Sequence, residues 1–257
     1  MDILGFSITH ITTFLLVLAR VGGIFTSAPV FGNVHVAPMV RVAIALSLAF
    51  VFFPIVQPHA PYSDLFPFVF AVFREALVGL VMGFLAAMMF AAIQMAGAYV
   101  DLVVGFGFAN IVDPMIREHN AVIGQFHNLV ATLLFLAING HHLMIRGLAD
   151  SFRVLPLGEM ALTPESAGNI ANVFAVVFVA ALKIAAPIVG AIFLTDVGLG
   201  ILARTVPQLN VFVVGFPAKL AVALFTLIIV MPAALGVMTG LFTGLHHDIV
   251  ALLRLLQ

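Results

Sequence analysis

Two short runs that contain adjacent histidines are the only candidate metal sites in the sequence. They are Gly140-His141-His142 and His246-His247-Asp248. Adjacent histidines diverge on a helix, whereas two metal ligands on one helical face are normally three or four residues apart. The sequence also contains no HExxH, GxSxG or GxxxxGK[ST] motif, and no GxGxxG before a strand. We therefore predict no catalytic residue, no bound metal and no cofactor, and we predict that the protein is not an enzyme.

Charged side chains that interrupt long apolar stretches are a second set of candidates. A charge at the centre of a bilayer costs about 2.5–3.5 kcal/mol on insertion scales, so each should meet a partner or water. Arg74 and Glu75 are adjacent and point away from each other on a helix, so they need separate partners. Structural pairing within the bundle, a subunit interface and a conducting path all stay open for these residues. The set is Arg20, Arg74, Glu75, Lys183, Asp196 and Arg204.

The elements that position these charges are hydrophobic helices. Of the 257 residues, 63% are hydrophobic and 8% are charged, whereas soluble domains are roughly half apolar and a quarter charged. About 20 apolar helical residues cross the hydrocarbon of a bilayer. The sequence therefore predicts an all-α fold of polytopic, membrane-type helical hairpins in one domain over residues 1–257. The net charge of -1 gives no electrostatic case for a nucleic-acid partner, and without cysteine there are no disulfides.

Six main helical segments are expected, with turns rich in proline, glycine and asparagine between them. The third and fifth are too long for one simple crossing, so we expect each to bend or to hold two helices. The segments lie near residues 8–30, 42–56, 68–100, 121–150, 167–203 and 211–246.

Glycines recur at the spacing that lets two helix backbones approach closely. The pattern predicts tight helix packing, either within the chain or against another subunit. The residues are Gly79 and Gly83 in one GxxxG pair, and Gly236, Gly240 and Gly244 in two overlapping ones.

An apolar segment rich in glycine and phenylalanine follows the third helical segment. Its first residues are Gly105-Phe106-Gly107-Phe108-Ala109-Asn110, and Asp113-Pro114 stops it from joining the next helix. Paired glycines give the backbone freedom, and paired phenylalanines exclude water. Non-helical backbone at membrane depth is tolerated only where it is buried or lines a cavity. The segment is therefore predicted to be a hydrophobic gate or plug, or else a buried re-entrant connector.

Motifs spread in order along most of the chain resemble the FliR/SctT family, the single-copy export-gate subunit of flagellar and virulence type III secretion. They include the motif of Pro207, Gln208, Asn210 and Phe212 near the last turn. The full set is Ala19 to Gly23, Ala28 to Gly32, Pro38, Arg41, Gln94 to Gly97, Gly105 to Ala109, Asp113-Pro114, Asn139 to His142, Ser151-Phe152, Pro156, Gly158 and Ala203 to Phe212.

The resemblance implies a function in protein export. Members of this family assemble with P-type and Q-type subunits, in five and four copies, into a gate in the bacterial inner membrane at the flagellar basal body. A plug loop, which matches Gly105 to Pro114 here, keeps the channel shut. A B-type switch subunit is expected at the cytoplasmic entrance, and unfolded proteins are the substrates. The Asp113-Pro114 and Gly-His-His variants favour the flagellar system.

Three other functions are open on sequence grounds. One is the virulence injectisome counterpart, and another is a scaffold subunit without a gating role. The third is an independent small-solute transporter, which would need inverted halves and a binding site at the midplane. We see no internal symmetry in the sequence, which disfavours the transporter.

Overall fold

Seven α-helices form the regular structure of the described residues in this computed structural model. The structure describes residues 3–29, 32, 36–57, 62, 64–106, 121–161, 164–208 and 210–256, and no strand occurs among them. The predicted all-α fold is therefore confirmed. The helices are α1 Ile3–Ser27, α2 Pro38–Phe52, α3 Leu65–Val104, α4 Val122–Ala137, α5 Gly140–Val154, α6 Pro164–Thr205 and α7 Val211–Arg254.

Several helix ends coincide with the expected turn residues. Pro38 and Pro164 are the first residues of α2 and α6, where a missing N–H costs nothing and the fixed φ angle favours the helix. Helix α6 ends at Thr205, two residues before Pro207. Asn210 directly precedes α7, and its carbonyl oxygen accepts the N–H of Val213 at 3.0 Å. The turn predicted between the last two helices therefore lies where the sequence places it.

The expectation of one helix across residues 121–150 is wrong. The chain bends by 65° between α4 and α5. Asn139 has a φ angle of 58°, in the left-handed region. Asparagine tolerates this conformation because its short polar side chain can hydrogen-bond locally. No proline marks this break, and the Asn139-Gly140 dipeptide is the turn signal that the sequence carries there.

The alternative in which the third and fifth segments each hold two helices is also wrong. Helix α3 is continuous over 40 residues and α6 over 42. Beyond Pro67 in its first turn, α3 contains no proline. Helix α6 continues through Pro187, which membrane helices tolerate where neighbours or local adjustments satisfy the freed carbonyl group.

Within the part of the chain that the structure describes, four helices are long and apolar enough to cross a membrane, and the bent pair α4 and α5 would make a fifth span. The four segments are Ile8–Ser27, Leu65–Val104, Val173–Thr205 and Val213–Arg254. This agrees with the predicted polytopic, membrane-type architecture.

The chain divides into two compact units. Unit 1 comprises Met1–Met88, Asn139–Phe174 and Phe242–Gln257, and unit 2 comprises Met89–Ile138 and Ala175–Leu241. The prediction of one domain is not tested by this division.

Within unit 1, α1 packs parallel to the first half of α3 at very short range. A Cβ atom added at Gly23 would lie 2.5 Å from the Ala76 carbonyl oxygen. One added at Gly79 would collide with the Arg20 carbonyl oxygen, and one at Gly83 with the Ser27 hydroxyl. Only glycine permits this approach, because any Cβ would fill the space between the two backbones.

Within unit 2, two antiparallel pairs of helices are present. The C-terminal part of α3 runs against α4, with the rings of Phe90 and Phe135 5.5 Å apart. The C-terminal part of α6 runs against the start of α7, where Lys219 pairs with Asp196. These are the helical hairpins that the sequence predicts.

The Gly79 contact predicts a selective loss of stability. Gly79→Ala should lower the free energy of unfolding of the full chain in detergent by at least about 1–3 kcal/mol, because the methyl group meets backbone and cannot be accommodated by a side-chain rotation. Gly198→Ala is the matched control, since a Cβ there meets no atom within 4 Å. Equal stability of the two variants in denaturant titration would contradict the packing described for unit 1.

Candidate functional site

A buried ion pair lies at the centre of unit 1. The Nε of Arg20 donates to Oε2 of Glu75 at 2.5 Å, and both side chains are fully buried. The Arg20 Nη1 donates to the carbonyl oxygens of Ser151 at 3.0 Å and Leu155 at 2.8 Å. The second carboxylate oxygen, Oε1 of Glu75, accepts the N–H of Gly158 at 2.9 Å. The pair thus joins α1, α3, the end of α5 and the turn that follows it.

The sequence around this pair explains its geometry. The last carbonyl groups of a helix have no partner within that helix, and an arginine is well suited to them because it carries five donors. The guanidinium also lies over the ring of Phe152 at 4.7 Å from the centroid. Because the pair is fully buried and its partners are mainly backbone groups, its role is to hold unit 1 together.

Arg74 and Glu75 have separate partners, as their adjacent positions require. The guanidinium of Arg74 lies over the ring of Phe70 at 4.5 Å, whereas Glu75 binds Arg20. A cation over an aromatic face gains about 0.5–1 kcal/mol at an exposed site. Arg74 therefore contributes much less to stability than Arg20 does, and it can serve as a comparison for Arg20.

In unit 2, Asp101 joins α3 and α4, the two helices that flank residues Gly105 to Pro114 in the sequence. We call these residues the Gly–Phe segment. Its backbone carbonyl accepts the N–H groups of Gly105 and Phe106, each at 3.1 Å, where α3 ends. Its carboxylate oxygens accept the N–H groups of Ile123 and Gly124, each at 3.0 Å, in the first turn of α4. Asp101 therefore supplies hydrogen-bond acceptors to backbone N–H groups at the end of α3 and to those at the start of α4.

This capping is unusual because the cap comes from another helix. The residue that precedes α4 is Ala121, which has no side chain able to cap it. The first N–H groups of a helix need acceptors, and a carboxylate there also interacts favourably with the helix dipole. Gly105 has a φ angle of 103°, which is accessible to glycine and strained for other residues. The chain therefore leaves α3 at Gly105, and it enters α4 at residues whose backbone N–H groups bind the Asp101 carboxylate.

Two glycines bring α3 and α4 together beside Asp101. A Cβ atom on Gly97 would lie 2.5 Å from the Cα of Gly124 and 2.7 Å from Nδ1 of His127. His127 is fully buried. The short reach of an aspartate side chain can span the two helices only because their backbones approach this closely. We call Gly97, Asp101, Ile123 and Gly124 the base of the Gly–Phe segment.

A cavity of about 830 Å³ lies in unit 2 beside the last turn of α3. Phe106 lines it and packs edge to face on Phe216, with ring centroids 5.9 Å apart. Asp196 and Lys219 also line it, and their ion pair measures 2.5 Å from Oδ1 to Nζ. The wall is mostly apolar, with one half-exposed ion pair. This lining favours packing against helices or an apolar chain over a catalytic function.

The structure brings some predicted site residues together and leaves others apart. Gly105 and Phe106 lie at the cavity. Gly107, Phe108, Ala109, Asn110, Asp113 and Pro114 lie outside the described residues. Pro207 and Gln208 are exposed in the turn after α6, and Arg204 is exposed in the last turn of that helix.

The remaining predicted residues fall on two kinds of surface. Gly79 and Gly83 lie in the α1–α3 contact, whereas a Cβ on Gly236 or Gly240 would meet no atom within 4 Å and one on Gly244 only Asp248 at 3.8 Å. Lys183 is exposed on α6 and forms no ion pair with a described residue.

Neither histidine run forms a metal centre among the described residues. No group of three or more His, Cys, Asp or Glu side chains there could hold an ion. The rings of His141 and His142 contact each other at 4.3 Å between centroids, and Nε2 of His246 lies 3.5 Å from Oδ2 of Asp150.

A family model described as bacterial export proteins, family 1, matches residues 11–245 of the chain. The chain belongs to this family. The match includes the Arg20–Glu75 pair and the base of the Gly–Phe segment, and it confirms the resemblance seen in the sequence. Members of this family are export proteins rather than enzymes, in agreement with the prediction of a non-catalytic protein.

Individual relatives agree with this assignment over nearly the full length. The chain is 38% identical to the flagellar biosynthetic protein FliR of Bacillus subtilis over 233 residues, which are 90% of each chain. It is 30% identical to FliR of Escherichia coli over 246 residues, 93% of each chain. It is also 28% identical to the Yop proteins translocation protein T of Yersinia pestis over 222 residues, 84% of this chain and 85% of the relative.

Sequence reasoning missed the residues that position the Gly–Phe segment. Asp101 stands four residues before Gly105 at the end of an apolar helix, and it reads as an ordinary polar boundary. A usable signal is present: α4 begins without a capping residue, so its first N–H groups need an acceptor from elsewhere in the chain. Ser151 and Gly158 could not be found as partners of Arg20 and Glu75, because most of their bonds come from backbone atoms.

The buried pair in unit 1 predicts an asymmetric pattern of mutational effects. Arg20→Met should cost about 3–5 kcal/mol of unfolding free energy, because it leaves the Glu75 carboxylate buried without its counter-charge. Arg20→Met combined with Glu75→Leu should recover much of this loss, since neither charge is then stranded. Arg74→Met is the matched control and should cost about 1 kcal/mol or less. A double variant less stable than Arg20→Met in detergent would contradict this account of the pair.

The Asp101 cap predicts local opening at the start of α4. Asp101→Ala removes both acceptors, and hydrogen bonds to charged groups contribute about 1.5–3 kcal/mol each. Hydrogen exchange at the Ile123 and Gly124 amides should therefore accelerate by about tenfold or more, with a smaller effect for Asp101→Asn, which keeps one acceptor oxygen. Asp150→Asn, a half-exposed carboxylate in unit 1, should leave both amides unchanged. Unaltered exchange in Asp101→Ala would show that the carboxylate does not cap α4.

Proposed function

We propose that the protein is a single-copy subunit of the flagellar type III protein export gate in the bacterial inner membrane, at the basal body. In this proposal it assembles with P-type and Q-type subunits, in five and four copies, to form the channel. The single observation that carries the proposal is the family match across residues 11–245. The flagellar assignment is supported by the greater identity to the two FliR relatives than to the Yersinia translocation protein.

The chain's uncovered apolar surface supports a role in assembly. Helices α6 and α7 carry many exposed Phe, Leu, Ile and Val side chains, and only 17% of the most apolar stretch of α7 is buried. Large exposed apolar faces mark contacts with lipid or with other proteins. With no Trp and only two Tyr, the chain lacks the aromatic belt of a conventional lipid-facing bundle. We therefore assign much of this surface to neighbouring subunits.

The second part of the proposal is that residues Gly105 to Pro114 plug the channel. Three features of the described residues support it. The segment leaves α3 at a glycine with a positive φ angle, and Asp101 fixes the start of α4 beside this exit point. Phe106 already packs in an apolar cavity.

We also propose that the turn between α6 and α7, which carries one of the motifs of the resemblance, lies at the entrance of the gate. Arg204 and the turn with Pro207, Gln208 and Asn210 are exposed, and we propose that they dock the B-type switch subunit together with Phe212. Unfolded flagellar proteins would then pass this entrance before they reach the plug.

Deletion of Gly105 to Ala109 tests the plug and separates it from a scaffold role. The assembled gate, reconstituted with its partner subunits in planar bilayers, should leak ions about tenfold or more above wild type, because removal of the Phe side chains lets water enter the constriction. Recovery of the complex on a gel-filtration column should stay unchanged.

A variant of unchanged length tests whether the Phe side chains, rather than the length of the loop, prevent ion leakage in the same bilayers. Phe106→Ser combined with Phe108→Ser keeps the number of residues and should also raise the leak. In complexes that assemble, Phe225→Ser, an exposed residue of α7 remote from the segment in sequence, should not raise the leak. Wild-type conductance in a correctly assembled deletion variant would reject the plug and leave the scaffold function.

A further inference from the structure

Lys183 is a charged residue on an apolar helix face whose counter-charge is missing from the described residues. Five other charges inside the long helices have partners: Arg20 pairs with Glu75, Lys219 pairs with Asp196, and Asp101 accepts backbone N–H groups. Lys183 has none of these, although it lies in the apolar stretch Val173–Thr205 of α6. Its ammonium therefore needs a partner from outside the described chain.

The surroundings of Lys183 are apolar and exposed. Val176 and Val179 lie on the same helical face, seven and four residues before it, and are 56% and 47% exposed. Ala186 and Pro187 follow on this face and are also exposed. A lone ammonium on such a face costs about 2.5–3.5 kcal/mol if it meets hydrocarbon. The face is therefore unsuited to lipid at the position of the lysine.

Small residues beside Lys183 leave room for another helix. Ala186 and Gly190 are four residues apart on the exposed face, and a Cβ on Gly190 would meet no atom within 4 Å. This spacing lets a neighbouring backbone approach closely. A helix that packs on Ala186 and Gly190 would pass within reach of the Lys183 ammonium, one turn away.

A lipid phosphate does not fit this position well. Lys183 follows Val173, the nearer end of the apolar stretch, by ten residues. Ten helical residues rise by about 15 Å, whereas a lysine side chain can reach about 6 Å along the helix towards the headgroups. A phosphate at the level of Val173 would therefore lie out of reach of the ammonium.

We propose that the Lys183 face of α6 docks a membrane helix of another export-apparatus subunit, and that this helix carries an Asp or Glu carboxylate that pairs with the Lys183 ammonium. The proposal rests on the assembly part of the proposed function and is independent of the plug. A carboxylate is the partner that neutralises an ammonium, and a helix is the form in which it reaches membrane depth with its own backbone satisfied.

Zero-length cross-linking in the assembled complex tests this pairing directly. A membrane-permeable carbodiimide activates a carboxyl group, which then forms an amide with an amine at contact distance. The chain has only two lysines, Lys183 and Lys219. Lys219 should link to its own Asp196 and so provides an internal positive control. Lys183 should link to an Asp or Glu of another subunit, which peptide mass spectrometry identifies.

Substitutions at Lys183 provide the matched series. Lys183→Arg keeps the charge, so the complex should assemble as in wild type while the amide disappears. Lys183→Met should lower recovery of the complex at least about tenfold, because the partner carboxylate is left buried without a counter-charge. Lys183→Glu should lower it further through like-charge repulsion. Asp150→Asn, a half-exposed carboxylate of unit 1, should have no effect.

Several outcomes would overturn the proposal. One is the absence of a Lys183 amide when the Lys219–Asp196 amide forms. Another is a Lys183 amide to a carboxylate of its own chain. Normal assembly of Lys183→Glu would point to water or a lipid phosphate as the neighbour and would also reject the pairing. Failure of the wild-type chain to assemble with any export-apparatus subunit would instead reject the proposed function itself.

Discussion

In helices as apolar as these, a charged side chain is stable only where a counter-charge or a group of hydrogen-bond partners meets it. This constraint organises much of the molecule. In unit 1 it brings Arg20 of α1 against Glu75 of α3, and Nη1 of Arg20 donates to carbonyl groups at the end of α5. The glycines of the α1–α3 contact allow the two helices to come close enough for this pair. Packing and electrostatics therefore specify the same arrangement of helices.

The same constraint operates at the base of the Gly–Phe segment in unit 2. Asp101 is buried, and its carboxylate is stabilised by two backbone N–H groups of α4 rather than by a cation. The arrangement fixes where the chain leaves α3 and where it enters α4.

Much of the fold follows from the sequence, because long apolar runs and proline positions set most helix limits. The turn at Pro207 and the start of α6 at Pro164 are examples. The Asn139-Gly140 dipeptide favours a turn, but the absence of Asp, Glu, Lys and Arg over residues 119–145 favoured one continuous helical segment there. The partner of Arg20 lies 55 residues away, and the acceptors of its other hydrogen bonds are carbonyl groups that carry no sequence signal. The Gly–Phe segment was recognisable by composition, whereas Asp101 acts through backbone atoms of a distant turn and was not.

We propose that the segment from Gly105 to Pro114 closes a channel built with other subunits. Electron cryomicroscopy of the chain in its assembled export apparatus, at a resolution that shows side chains, tests this proposal. Phe106 and Phe108 should lie on the channel axis, with Asp101 still bound to the first turn of α4. A channel axis closed entirely by other subunits, with this segment at the periphery of the complex, would contradict it.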